Sequence, residues 1–240
     1  MSKRDTLLLA RQDLAALANP TDAAFLQRFF KTGPGEYGEG DLFRGIRVPV
    51  LRALVPQHAD LALVDMLRLL KSKYHEDRLF ALLLLVRRFE RGDETARQRI
   101  VHAYLRHTRY INNWDLVDLS APNIVGAWVV AHNLAILNRL VRSKLLWERR
   151  MAIVATLALI RQQRHATTLV LARKLLSDRE DLLHKATGWM LREVGKRDQQ
   201  ALLAFLDRHA TVMPRTMLRY AIERLPETER RKYLLVRKAT

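Results

Sequence analysis

A short pattern recurs five times along the 240-residue chain. Arg78-Leu-Phe-Ala, Trp114-Asp-Leu-Val, Arg150-Met-Ala-Ile, Lys185-Ala-Thr-Gly and Arg219-Tyr-Ala-Ile are separated by steps of 36, 36, 35 and 34 residues. Each lies at the start of a stretch whose apolar residues recur at i, i+3 and i+4, the spacing of one helix face. A period of this length holds two helices and a turn. Such a unit cannot bury its own apolar face, so copies must stack. The pattern predicts an all-α fold, an α-solenoid of helical hairpins. Equivalent positions of successive repeats would then line one concave face, and here those positions are mostly basic. Helix-rich sequences also produce chance matches, but five starts in one series weigh against that explanation.

The rest of the chain agrees with a helical reading. Glu76 to Glu90, Glu94 to His107, Leu145 to Gln163, Ala166 to Leu176, Asp178 to Lys196, Gln199 to His209, Pro214 to Leu225 and Glu227 to Val236 are predicted helices. Ser177 and Glu180 have the spacing of a capping box, which would start the fifth of them. Gly 9 and Pro 7 are too few for a turn-rich β protein or a disordered chain. Four of the nine glycines fall in Lys31 to Asp41, so this segment is predicted to be a loop. The organisation expected is a single repeat domain over 1–240, with an N-terminal helical cap and Gly-rich loop over 1–45 and the repeats over 46–240.

Composition narrows the function. Lys plus Arg is 42 against 25 for Asp plus Glu, a net charge of +17, which points to a polyanionic partner, nucleic acid before membrane. With Cys 0 there is no disulfide framework, cysteine nucleophile, zinc finger or cysteine-held iron–sulfur cluster. The eight histidines are scattered, so no metal site and no cofactor are expected. The Leu7-Leu8-Leu9-Ala10 run is too short for a signal peptide. Phe80 to Val86 and Met151 to Ile160 fall well short of the roughly 18–20 apolar residues of a membrane span. A cytoplasmic protein without a membrane partner is expected. His75-Glu76 is not a zinc HExxH motif, since Leu79 stands where the second histidine belongs; Gly33-Pro34-Gly35 is no Walker loop, and no GxSxG elbow occurs.

Individual residues stand out against this background. At about 100° per residue, Lys185, Trp189, Arg192 and Lys196 share one sector of a helix, opposite Leu183, Thr187, Met190 and Val194. A tryptophan among cations either covers their apolar stems or lies against a ligand, and the spacing does not choose. Trp114 and Asp118, at i and i+4, share a face of a short helix that Asn113 would cap and Pro122 would follow. Arg150 lies on a stripe with Leu146, Ile153 and Leu157. A guanidinium there needs a carboxylate, such as Asp118 of the preceding unit, or a phosphate.

Four segments carry a family resemblance: Gly45-Ile-Arg-Val-Pro-Val-Leu-Arg52, Tyr74-His-Glu-Asp-Arg-Leu-Phe-Ala81, Asn113 to Asp118, and Lys185-Ala-Thr-Gly-Trp-Met-Leu-Arg-Glu193. On these the chain resembles the bacterial alkylpurine DNA glycosylases of the DNA alkylation repair family, the AlkD-like proteins built from HEAT-like repeats. The resemblance implies hydrolytic release of N3- and N7-alkylated purines from double-stranded DNA, without strand cleavage. It implies Asp118 as catalytic carboxylate, Trp114 and Trp189 as aromatic walls, and Arg150 as a companion cation on the DNA backbone. Pro49, Glu76 and Asn113 match positions assigned to structure. The repeated face adds Arg78, Lys185, Arg192, Lys196 and Arg219 as expected DNA-binding cations, and nothing in the sequence points to oligomerisation, so a monomer is expected. The alternative is a non-enzymatic HEAT-like module that binds nucleic acid through its basic groove, or a protein-binding scaffold; neither gives Asp118 a special role.

Overall fold

The protein, represented by a computed structural model, is described over residues 3–235. These residues group into two compact units, one ending at Ser120 and the other beginning at Ala121. Regular structure among the described residues is helical, apart from one isolated parallel bridge between Leu42 and Tyr74. The all-α class read from the repeat is the class observed. No helix among the described residues is long and apolar enough to cross a membrane.

The first unit is built around the helix His75–Arg91. Residues Leu79 to Leu85 are all buried, so this helix is apolar on nearly every side, as expected of a helix covered all round. Val48–Leu54, Leu63–Leu70, Glu94–Arg106 and Trp114–Ser120 pack against it. Ahead of them lie Lys3–Ala16 and Pro20–Phe29. Asn19 caps the latter by accepting the Asp22 N–H at 3.1 Å, and Pro20 follows at its first position. The Gly-rich segment is the expected loop and is anchored at its far end. Glu76 accepts the backbone N–H groups of Arg44, Gly45 and Ile46 at 2.8, 2.8 and 3.2 Å. Gly45 has φ +81°, and a Cβ there would fall 2.0 Å from the Asn19 carbonyl oxygen, so only glycine fits.

In the second unit, Pro122–Gly126 is a π-helical turn running into Ala127–Ala131, and Ala135–Leu140 follows. Leu146–Ala155 packs on Asp181–Gly195, and Asp181–Gly195 packs on Arg215–Ile222. These three helices carry Arg150, Lys185 and Arg219. Ala166–Lys174 and Gln199–His209 pack against Asp181–Gly195. Each hairpin thus gives one helix to a row of equivalent helices, as the 34- to 36-residue period requires. Leu183, Thr187, Met190 and Val194 are all fully buried, the core side assigned from the helical wheel.

Two expected boundaries differ. Leu145 to Gln163 is two helices, Leu146–Ala155 and Leu157–Arg161. At the break Thr156 directs its hydroxyl to the Ile153 carbonyl at 2.6 Å, while its N–H reaches the same carbonyl at 3.1 Å, a local tightening that ends the first helix. The Ser177–Glu180 capping box does not form. The helix starts at Asp181, and Glu180 makes no side-chain cap. Asp178 organises the turn instead, accepting the Glu180 N–H at 3.1 Å and the Arg149 guanidinium at 2.7 Å. Glu227–Leu235 closes the second unit; Val236, expected in that helix, lies outside the described residues.

Candidate active site

Trp114–Ser120 is seven residues long, too short to be stable by itself, so its surroundings hold it. Asn113 is fully buried and its side-chain oxygen accepts the Trp114 N–H at 2.8 Å. Trp114 is half-buried. Its ring stacks on Phe30 at 5.4 Å between centroids, meets Phe29 edge-on at 6.2 Å, and its indole N–H donates to the Tyr37 hydroxyl at 3.3 Å. The Gly-rich loop therefore has a defined part, in that Tyr37 orients the tryptophan. Asp118 is one turn on and half-buried. Beneath that helix, Tyr104 is buried with its hydroxyl on Ser120 at 2.8 Å. Burial pushes its phenol well above the usual tyrosine range despite the Ser120 hydrogen bond, with the Asp118 charge adding to the rise.

Asp115, between the two named residues, leads into a buried charge network. His75 Nε2 lies 2.8 Å from the Asp115 carboxylate and its Nδ1 lies 3.2 Å from Asp41. Arg78 donates to the other oxygen of Asp41 at 2.7 Å. Burial alone would depress the His75 imidazole. The Asp115 charge, with the hydrogen bonds that both carboxylates accept from the imidazolium, outweighs burial and the Arg78 charge and raises it to about 9. A second effect falls on Asp41, where burial is outweighed by His75 and Arg78 and the carboxyl is held below its ordinary range. Beside this network is an apolar cavity of about 540 Å³, lined among others by Phe25, Phe29, Phe43, Val48, His75 and Trp114.

In the second unit, Arg150 is 5% exposed and one of its N–H groups bonds the Leu182 carbonyl. Burial makes it a fixed internal charge with little surface to offer a DNA phosphate. Trp189 is half-buried, and its indole hydrogen-bonds Glu193 one turn on. Burial would raise the Glu193 carboxyl, but hydrogen bonds from Lys196, Arg197 and Trp189 bring it below its usual range. The tryptophan thus has a protein partner for its polar edge and an exposed part of its ring.

The expected DNA-binding cations divide. Arg78 is corrected: it is 4% exposed and bonded to Asp41 and to the Ser72 carbonyl at 3.1 Å. The Leu42–Tyr74 bridge brings Asp41 onto the first turn of its helix, so it serves as an internal ion-pair partner. Arg192 is paired with Glu223 and largely covered. Lys185 remains at the surface beside Asp181 at 2.8 Å, and Lys196 beside Glu193 at 2.5 Å. Arg219 is exposed. No cluster of three or more potential metal ligands occurs among the described residues.

Stacked helical hairpins carrying a carboxylate and an indole on one short helix define an all-α repeat protein with an acid–aromatic site. The chain belongs to the DNA alkylation repair enzyme family, whose model matches residues 10–225. Among solved structures it is similar to one described as a predicted DNA alkylation repair enzyme from Enterococcus faecalis, with TM-score 0.70 and 20% identity, covering 88% of this chain and 97% of the other. That likeness is one of fold. No curated protein matches.

None of His75, Asp41, Asp115, Phe30 and Tyr37 was expected as a site residue from the sequence; His75 entered through the rejected HExxH motif. The only local signal was a histidine beside two acids, His75-Glu76-Asp77, at a helix start.

Proposed function

We propose that this repair-family protein is a monofunctional DNA glycosylase that hydrolyses the N-glycosidic bond of N3- and N7-alkylated purines in duplex DNA, acting as a cytoplasmic monomer. The observation that carries the reading is the pairing of a half-buried carboxylate, Asp118, with the anchored indole of Trp114 one turn away. An N3- or N7-alkylated purine is cationic, so its bond to the sugar is already weakened and the base departs without a strong acid. The remaining tasks are to stabilise an oxocarbenium-like sugar and to direct water to C1′. Asp118 suits both, through its charge and as a hydrogen-bond acceptor. The face of Trp114 favours the cationic sugar and base through its quadrupole; for Trp189 and Arg150, the second aromatic wall and the companion cation are the roles that the resemblance implies. Lys185, Lys196 and Arg219 would hold phosphates electrostatically.

The test is base release from duplex DNA containing N7-methylguanine or N3-methyladenine. The full-length protein should release base and leave the strand intact, and Asp118→Asn should slow release by about 100-fold or more while keeping duplex affinity. Equal rates of release by the two proteins would remove Asp118 from the mechanism, and DNA binding by both with no release by either would leave a non-enzymatic binding module as the better reading.

A further inference from the structure

We infer that His75 is a positioning residue for the proposed reaction, fixing the rotation of the Trp114–Ser120 helix and with it the bearings of Trp114 and Asp118. The inference rests on the reading of those two residues as the working pair. At 100° per residue Asp118 falls about 40° from Trp114 around the helix, between Trp114 and Asp115 at about 100°. Whatever holds Asp115 therefore sets the azimuth of Asp118. His75 holds it at 2.8 Å from the neighbouring helix, whose first residue it is. The same ring packs against both Phe43 at 4.7 Å and Phe30 at 4.9 Å, and Phe30 stacks on Trp114. His75 thus reaches the short helix by two routes: a charge-assisted hydrogen bond to Asp115, and a stack of rings ending on Trp114.

The network is electrically closed. Asp41 and Asp115 are opposed by His75 and Arg78, and Asn112 adds a neutral amide 3.4 Å from Asp41. Glu76, next along the chain, is occupied by the Arg44, Gly45 and Ile46 N–H groups, while at the neighbouring cavity wall Arg47 is paired with Asp22. Loss of the His75 proton leaves a buried surplus of one negative charge, and the Asp115 carboxylate loses the cation that orients it. Since His75 is held at about 9 in the fold, this occurs on the alkaline side, with the clamp closed at neutral pH.

The experiment uses the full chain, His75→Gln and the double variant His75→Gln/Asp115→Asn, which restores charge balance and leaves two amides able to hydrogen-bond. The near-UV circular dichroism of Trp114 is isolated by subtracting the matching Trp114→Phe protein. The wild-type signal should persist to about pH 8 and fall as pH passes through about 9, with far-UV helicity unchanged. His75→Gln should hold it at least threefold below the neutral wild-type value with no step near pH 9, and the double variant should recover half or more of that value. Single-turnover base release should fall about 10- to 100-fold in His75→Gln, with duplex affinity changed less than threefold, and recover at least fivefold in the double variant. A Trp114 signal indifferent to pH and to His75→Gln overturns the inference, as does a rate that falls only in proportion to affinity. If the wild type itself releases no base, the glycosylase reading fails while the Trp114 signal still decides the positioning role. Should His75→Gln not fold, the wild-type titration decides it.

Discussion

Glu76 is 1% exposed, and the hydrogen bonds it makes run to three backbone N–H groups. It ties Arg44, Gly45 and Ile46 to the start of the central helix, so one carboxylate anchors the far end of the loop carrying Tyr37 and Asp41. A glutamine has nearly the same shape but the wrong polarity on one side. Its oxygen could still take the Gly45 and Ile46 N–H groups, while its NH2 would face the Arg44 N–H, donor against donor. Glu76→Gln should therefore destabilise the fold by about 2–4 kcal/mol, read as a lower urea midpoint with an unchanged slope. A loss below about 0.5 kcal/mol would mean that the loop is held by other contacts. The neighbouring His75 shows why this level was poorly legible. Its carboxylate partners lie 34 and 40 residues away, and pairings at such distances leave no period in a sequence. The register of the repeat placed Arg78 with the other basic helix starts and so turned its guanidinium toward DNA, because register gives equivalent positions and not the loop that covers one of them.

Among elements, Asp181–Gly195 and Arg215–Ile222 approach closely in the second unit. A Cβ built on Gly188 would lie 2.4 Å from the Met217 carbonyl oxygen and 2.5 Å from the Tyr220 Cβ. Alanine would favour the helix by about 1 kcal/mol on propensity alone. Here the obstacle is partly backbone, so the helices must move apart and the core from Leu191 to Ile222 must loosen. Gly188→Ala should be destabilising by about 1–3 kcal/mol, visible as a drop of several degrees in Tm. An unchanged or raised Tm would show that the two helices separate at little cost. Elements were the most legible level. The 34- to 36-residue period gave the row of equivalent helices, and Gln199–His209 was read at its observed bounds. The misses are local competitions that periodicity does not register: the Thr156 hydroxyl turning back on Ile153, and Asp178 taking the turn for which Ser177 and Glu180 had the right spacing. Trp114 and Asp118 were legible as a pair because they occupy one helix face, whereas the Tyr37 and Phe30 contacts that orient the indole cross between elements.

For the molecule as a whole, 25 acidic residues cannot neutralise 42 basic ones, however many pair internally. The acids are spent close to the structure: Asp77 on Arg44, Asp41 on Arg78, Asp178 on Arg149, Glu223 on Arg192. The uncompensated charge is therefore carried by other, mostly surface, cations, where a DNA backbone can displace counterions. Two arginines at equivalent repeat positions separate these uses. Arg219 is exposed, and Arg219→Ala should weaken duplex binding about equally for all sequences and lower the slope of log affinity against log salt by about 1, with stability nearly unchanged. Arg78→Ala should instead leave Asp41 and Asp115 opposed by His75 alone, a buried surplus of one negative charge, and lower stability by about 3–5 kcal/mol, with no change in the salt slope of the fraction that remains folded. Fluorescence anisotropy on an undamaged duplex from 50 to 200 mM salt, alongside urea titrations, reads both quantities. If Arg78→Ala reduced the salt slope while leaving stability intact, the internal role assigned to this arginine would be wrong, and the whole repeated series of basic positions would again have to be read as one DNA-facing row.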